Sequence, residues 1–537
     1  MANLSPRPGL LGRRLAAHLL RRASFSVSAD RVIEFAGKTA AEAVGSLLTI
    51  PPLTHPEGPI NWMDGSTAWL TSGPYTNGPD TFMGRKQRAV WMWAINEMLN
   101  DSSLRHKMAL FWHSIFVTEQ DRDWSEFDLF RLFQRYATGN VKTLAYKVTL
   151  DNKMLRYLNN NNNRKDSPNE NYAREFLELF TILKGPVQGT GDYTNYTEED
   201  IVQAARVLTG FDDHFFDHKD PETGLATGRA IYNRHHRGNK TFTAAFGNRT
   251  IQGATDEADM YRELQEFVDM IFGQQETARA YVRRLYRFFV GDNISEEVEQ
   301  SVILPLSTQL YTDGYTVENT LRTLLCSRHF YDESDSNSKD NTIGGKIKSP
   351  LDYALGAINL FEANQMGILN ENPEHYDSTA QRFLYDHLEH LGFTFYPLSV
   401  EGYPGFFKNP NYSKFWFDQS TIAHRFRLSY ALLEGKTVKG NRDIPFQIDL
   451  AGFFRDRFTH QEYAEELVRQ FLELTLSEMP DGQRFDYFLQ KLLGDLSPIN
   501  WMFEWQGYIQ SGNDESVKVA LTDLFEAVVG SPEFQTF

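Results

Sequence analysis

Apolar residues return at steps of three and four in stretch after stretch of this chain, while strict alternation is rare, and that confines the fold to packed helices. The pattern runs through 86–99 and 104–117; in the second, Leu104, Met108, Phe111, Trp112 and Ile115 form one stripe. It recurs near 127–137, 170–183, 198–209, 257–273, 276–290, 315–326, 351–363, 379–391, 419–433, 460–476, 484–493 and 515–529. Asp123 to Glu126 reads as a helix start, and Gly210 stands where a left-handed residue closes a helix. In SPNENYAREFLELF (167–180), Ser167 fits an N-cap, Pro168 the first helical position and Glu170 the third position of a capping box. Glu170, Arg174 and Glu178 then stack as an ion-pair ladder, with Tyr172, Phe176 and Leu179 as its buried stripe. Strand signals are confined to 229–233 and 241–251, which could pair around Gly238-Asn239. The expected fold is mainly α: a large irregular helical domain with long ordered loops and at most a small β-hairpin.

The 537 residues are 41% hydrophobic and 14% aromatic, enough apolar material for a substantial core. With 71 acids against 54 bases the formal charge is −17, which opposes nucleic-acid binding over most of the surface. Cys326 is the one cysteine, so there is no intramolecular disulfide and no thiolate metal cluster; it reads as a small core filler. Apolar runs of transmembrane length are absent. Arg7, Arg13, Arg14, Arg21 and Arg22 precede the first acid, Asp30. Such an opening fits a transit peptide or an amphipathic helix with Leu15, Leu19 and Leu20 on one face; the run from Leu15 to Leu20 is too short for a secretory signal. A cytoplasmic location is the sequence-level expectation.

Breaker-rich stretches suggest the organisation. Residues 51–81 carry Pro, Gly, Trp62 and Trp69, and 397–418 (PLSVEGYPGFFKNPNYSKFWF) is equally rich in Pro, Gly and aromatics; both read as ordered loops. The acidic, Gly-rich stretch 332–346 is linker-like and divides an N-terminal helical region, 1–331, from a C-terminal one, 347–537, packed on the first.

Phosphate loops, G-x-S-x-G elbows and H-E-x-x-H pairs are absent from the sequence. What remains are scattered polar residues in apolar or loop settings. His113 has apolar neighbours on every side, so it is a core histidine bonded to a carbonyl, or else a ligand or general base. Glu175 is the carboxylate that the helix ladder leaves over. His235, His236 and Lys240 surround a Gly turn and could take an anion or metal; adjacent strand residues face opposite ways, so one His would serve a given site. His214 and His218 have chelating spacing but sit in loop-like sequence.

In order along the chain, HLLRRASF (18–25), LRHKMALFWHSIF (104–116), PNENYAREFLELFT (168–181), YTEEDIVQAARVLTGF (196–211), HHRGNKTF (235–242), RLYRFFV (284–290), KSP (348–350), PLSVEGYPGF (397–406) and SPEFQ (531–535) resemble a bacterial family, the domain of unknown function 1800 (DUF1800). The resemblance implies a largely helical protein, with HLLRR at the start of the folded part. It also implies relatives that are often exported and often encoded beside sulfatase- or phosphatase-like proteins, which makes such a protein a candidate partner. It brings no settled reaction. The chain departs from the family pattern where Ile115 replaces the second His of W-H-x-H-F, His236 the Asp of H-D-x-G-x-K, and Tyr403 the Trp of G-W-P.

Two functional expectations follow. One is a non-catalytic scaffold or binding protein whose aromatic loops (Trp62, Trp69, Tyr403, Trp416) contact a partner protein or glycan. The other is a metal- or anion-assisted enzyme in which His113, Glu175 and His235 or His236 hold a divalent ion, with Arg22 and Lys240 as positive groups.

Overall fold

The computed structural model describes residues 3–54, 80–119, 125–189, 192–213, 218–333, 342–363, 387–397, 399–437, 443–444 and 446–537. The fold is mainly α, as the periodicity requires. Helices such as Glu257–Phe272, Gln275–Phe289 and Glu515–Val529 lie within a residue of the periodic stretches, because each has one continuous apolar face to bury. Most of 379–391 lies outside the described residues, as do Trp62, Trp69, His214 and most of 51–81.

Helix Gly12–Ala23 buries Leu15, Leu19 and Leu20, and also His18, Arg21 and Arg22; it packs on Ala29–Ala36 and on the distant Ala464–Thr475. One continuous hydrophobic cluster reaches from Leu11 to Phe534. Asp332 accepts from Thr342 N (2.7 Å) and Ile343 N (2.8 Å), closing the described ends of the 332–346 segment on each other. Cys326 is buried among helices, and burial pushes its thiol up to about 11. Helices Val141–Thr149 and Pro498–Ser511 escape the sequence reading, the first because its Val and Thr content weakens the helical signature that packing overrides.

The 167–180 segment corrects three expectations. The helix begins at Asn171, not after Ser167; Asn169 Oδ1 accepts from Asn171 N (2.9 Å), while Ser167 forms a bridge with Arg164. Arg174 does bind Glu170 (3.1 Å), but Glu178 turns to Lys184 (2.5 Å) and Arg174 takes Glu198 (2.8 Å). Residues Phe176–Phe180 form a π-helical turn, whose extra residue per turn brings Leu177 and Phe180 inward and leaves Leu179 only half-buried.

Among the described residues the β content is three small antiparallel sheets: Val187–Gly189 with Asp192–Tyr193 and Tyr196–Thr197, Phe211–Asp212 with Arg229–Ala230, and Lys240–Thr241 with Thr250–Ile251. The expected pairing of 229–233 with 241–251 therefore does not form. Gly238-Asn239 is used otherwise: the chain there lies against Gly253, where a Cβ would sit 2.1 Å from Arg237 O, and Asn239 Oδ1 accepts from Gly253 N (3.1 Å). Gly210 is left-handed (φ +85), as its place after Glu198–Val207 requires.

Candidate functional site

The polar residues singled out from the sequence occupy separate settings. His113 lies on helix Arg105–Ile115, 3% exposed, among Trp91, Phe133 and Tyr403, with Nε2 2.6 Å from Phe395 O. That contact requires the ring to donate, and burial pushes its pKa down to about 4. His113 is thus a neutral core histidine tied to a carbonyl.

His235 sits elsewhere, fully buried, with Nδ1 at 2.8 Å from Thr209 O and Nε2 at 3.0 Å from Glu263 Oε2. Nε2 also lies 3.3 Å from Lys240 Nζ, so both ring nitrogens are engaged within the protein and neither is open to a metal. Lys240 forms an ion pair with the other oxygen of Glu263 and donates to His236 O (2.6 Å), while Glu263 Oε2 also accepts from Ala254 N (2.8 Å). This closed, fully buried clasp pins the 235–241 turn to helix Glu257–Phe272; Lys240 is an internal strut, not a surface cation. His236 is half-buried and anchored through its backbone N to Thr209 Oγ1 (2.8 Å), with burial lowering its pKa. His218 Nδ1 meets Thr227 O at 3.2 Å.

Glu175 is half-buried with its carboxylate unpaired, and burial together with Glu178 raises its pKa. It shares no ligand group with His113 or His235. Among the described residues no cluster of three or more His, Cys, Asp or Glu side chains could hold a metal ion. Arg22 is buried and donates to Phe289 O (3.1 Å), Val290 O and Thr342 O, so it braces backbone.

The aromatic loop 399–417 is also organised differently from expectation. Tyr403 and Trp416, both 4% exposed, face inward. Tyr403 stacks on Phe393 (centroids 5.2 Å apart, planes at 15°) and donates to Thr394 O (2.9 Å). Trp416 packs edge-on to Phe406 (5.3 Å), which meets Phe288 (5.0 Å). Gly405 makes this possible, since a Cβ there would lie 2.2 Å from Trp416 Cε2. Rings are drawn inward because each removes a large apolar area from water.

This aromatic keel carries the tip of the loop to the edge of a cleft of about 690 Å³. One wall is Asn409, Pro410, Asn411, Tyr412 and Lys414; the other is Gly291 to Ser295, just past helix Gln275–Phe289. Asp292 ties the walls together at the base, its Oδ2 accepting from Ser413 N (3.0 Å) and Ser413 Oγ. Arg287 lies over the Tyr412 ring (5.0 Å), and Tyr286 on the floor shares a hydrogen bond with His329 Nε2 (2.9 Å). The carboxamides of Asn293, Asn409 and Asn411 line the cleft, exposed and without an intramolecular partner. Sequence reading passed over them; the only local signal was a pair of Asn flanking Pro410 in a stretch too rich in rings to be disordered.

Residues 18–536 match the family described as Protein of unknown function (DUF1800). The chain belongs to this family. No curated protein and no solved structure matches the chain. Three of the DUF1800 segments meet in the interior: Arg21 and Arg22 of HLLRRASF, Lys107 of LRHKMALFWHSIF and Lys348 of KSP are all buried and close enough to influence one another's charge. The distinctive cations of this DUF1800 member thus serve its interior. No helix among the described residues is long and apolar enough to cross a membrane.

Proposed function

We propose that this protein is a binding protein whose ligand site is the cleft between 291–295 and 409–414, and that the ligand is a neutral glycan. The supporting observation is a cleft of about 690 Å³ lined by three exposed carboxamides that make no hydrogen bond within the protein. That volume falls in the usual range for small-ligand sites. A carboxamide offers donors and an acceptor side by side, which matches the vicinal hydroxyls of a sugar, and the exposed Lys414 of the same wall can donate to a hydroxyl as well. The Tyr412 ring adds an apolar face within the same wall, and Asp292, already engaged by Ser413, serves to hold the walls rather than to react. The aromatics expected to make contact act one layer below, as the support of the rim.

Because the walls come from opposite sides of 332–346, the two regions suggested by the sequence would work as one unit. The test is calorimetric titration with a panel of neutral oligosaccharides, alongside acidic ones as controls. Binding of a neutral member is expected, weakened at least about tenfold in Asn293→Ala/Asn411→Ala, as suits the loss of two hydrogen-bonded side chains. Absence of binding across the panel, or an affinity untouched by the double substitution, would remove this reading.

A further inference from the structure

Behind the cleft lies an interior with an unusual charge balance. Arg21, Arg22, Lys107, Lys346, Lys348 and Arg425 are all buried. The acidic side chains that influence them are Asp292, Asp332 and Asp352. Among these cations only Lys107 touches a carboxylate, that of Asp352. The others lean on main-chain carbonyls: Arg21 on Leu474 O, Lys348 on Phe534 O (2.6 Å), Arg425 on Lys348 O (2.9 Å) and Lys346 on Phe288 O (2.7 Å). A carbonyl supplies a dipole but no counter-charge, so holding positive charge in this region of low dielectric is costly, and burial pushes the Lys348 ammonium well below its usual range and Lys346 down to about 8.

At one edge of this cluster is a small cavity lined by Arg21, Ser24, Lys348, Asp352, Tyr353 and Phe537, among others. It leaves about 20 Å³ for the centre of a water-sized sphere, enough for a single small occupant. Arg21 Nη1, fully buried, has no hydrogen-bond partner, and neither do Nε and Nη1 of the neighbouring Arg425. A water in the cavity would satisfy a donor but leave the charge unbalanced. An anion does both.

We propose that this cavity is a buried binding site for one small inorganic anion of chloride's size, held by Arg21 and Lys348 with Arg425 behind them, the Asp352 carboxylate of the same lining being paired with Lys107. The size follows from the volume, which excludes a phosphate or a carboxylated metabolite. The site is distinct from the cleft and stands whether or not a glycan binds there. Its occupant would neutralise the meeting point of helix Gly12–Ala23, the Lys346–Lys348 strap and helix Pro350–Leu360, and so would lock the N-terminal helix to the C-terminal region.

Two measurements on the full chain test this. Thermal unfolding is followed at constant ionic strength while chloride replaces gluconate. A saturable rise in Tm on the order of 2 °C is expected, absent in Lys348→Met. Equal stabilisation by phosphate, too large for the cavity, would overturn the proposal. Crystals of the unaltered protein soaked in bromide supply the second readout, which decides the matter even if Lys348→Met does not fold. An anomalous peak within roughly 3.5 Å of Arg21 Nη1 and Lys348 Nζ is expected, since that is hydrogen-bonding reach for a large anion. A cavity without anomalous signal refutes the site.

Discussion

Acidification should expose His113 as a latent weak point, and the size of the effect can be worked out. Its ring is buried, donates to Phe395 O and has its pKa held down at about 4, chiefly by desolvation. In the unfolded chain the same ring titrates near 6.5, so between those values the unfolded state binds the extra proton and the folded state does not. Stability contributed by this residue is therefore complete above about pH 6.5 and is lost as pH falls towards 4, a difference of about 3 kcal/mol. His113→Gln keeps a donor for Phe395 O but cannot take up a proton. Urea unfolding of both proteins at several values from pH 7 to pH 4 isolates the contribution, because every other titrating group is common to the pair. The gap between wild type and variant should shift by about 3 kcal/mol in the variant's favour on going to pH 4. Parallel loss of stability in the two proteins would show that the ring is not kept neutral by burial, and the account of this core histidine would be wrong.

Two further outcomes follow from the packing. Gly405→Ala forces a methyl group onto Trp416, and should cost about 1–3 kcal/mol and weaken any ligand of the cleft; Gly482→Ala, where a Cβ meets nothing, should leave the melting temperature near that of wild type. In the buried clasp, Glu263→Leu strands Lys240 without its counter-charge and should cost about 3–5 kcal/mol by chemical denaturation. The double variant Glu263→Leu/Lys240→Met should recover part of that loss, and strictly additive losses would argue that the two side chains are not coupled.

Helices were legible wherever one face carried the apolar residues, as in Glu257–Phe272 and Glu515–Val529. They were less legible where local chemistry competes. The Val- and Thr-rich 141–149 is helical through its neighbours, and the π-turn at Phe176–Phe180 changes which residues face inward without altering the composition. Membership of the family could be read from the ordered segments and is borne out over 18–536. The site was much less legible, because it depends on distance through space. Nothing near His235 announces that Glu263 will cap its ring, and nothing in a Pro- and Gly-rich loop says whether its rings turn out to solvent or in to the core. Tyr403 and Trp416 turn in. The small amides that the same loop exposes had no pattern to mark them.

The division of labour within 399–417 has a consequence for how such a surface can change. Its large side chains are committed to a foundation, while Asn409, Asn411 and Lys414 project from it without internal obligations. Replacing those tips would alter what the cleft grips and leave the foundation undisturbed. A change to Gly405 or Trp416 would shift every tip at once. Diversity among relatives should therefore gather at the summit of this loop, with restraint at its base.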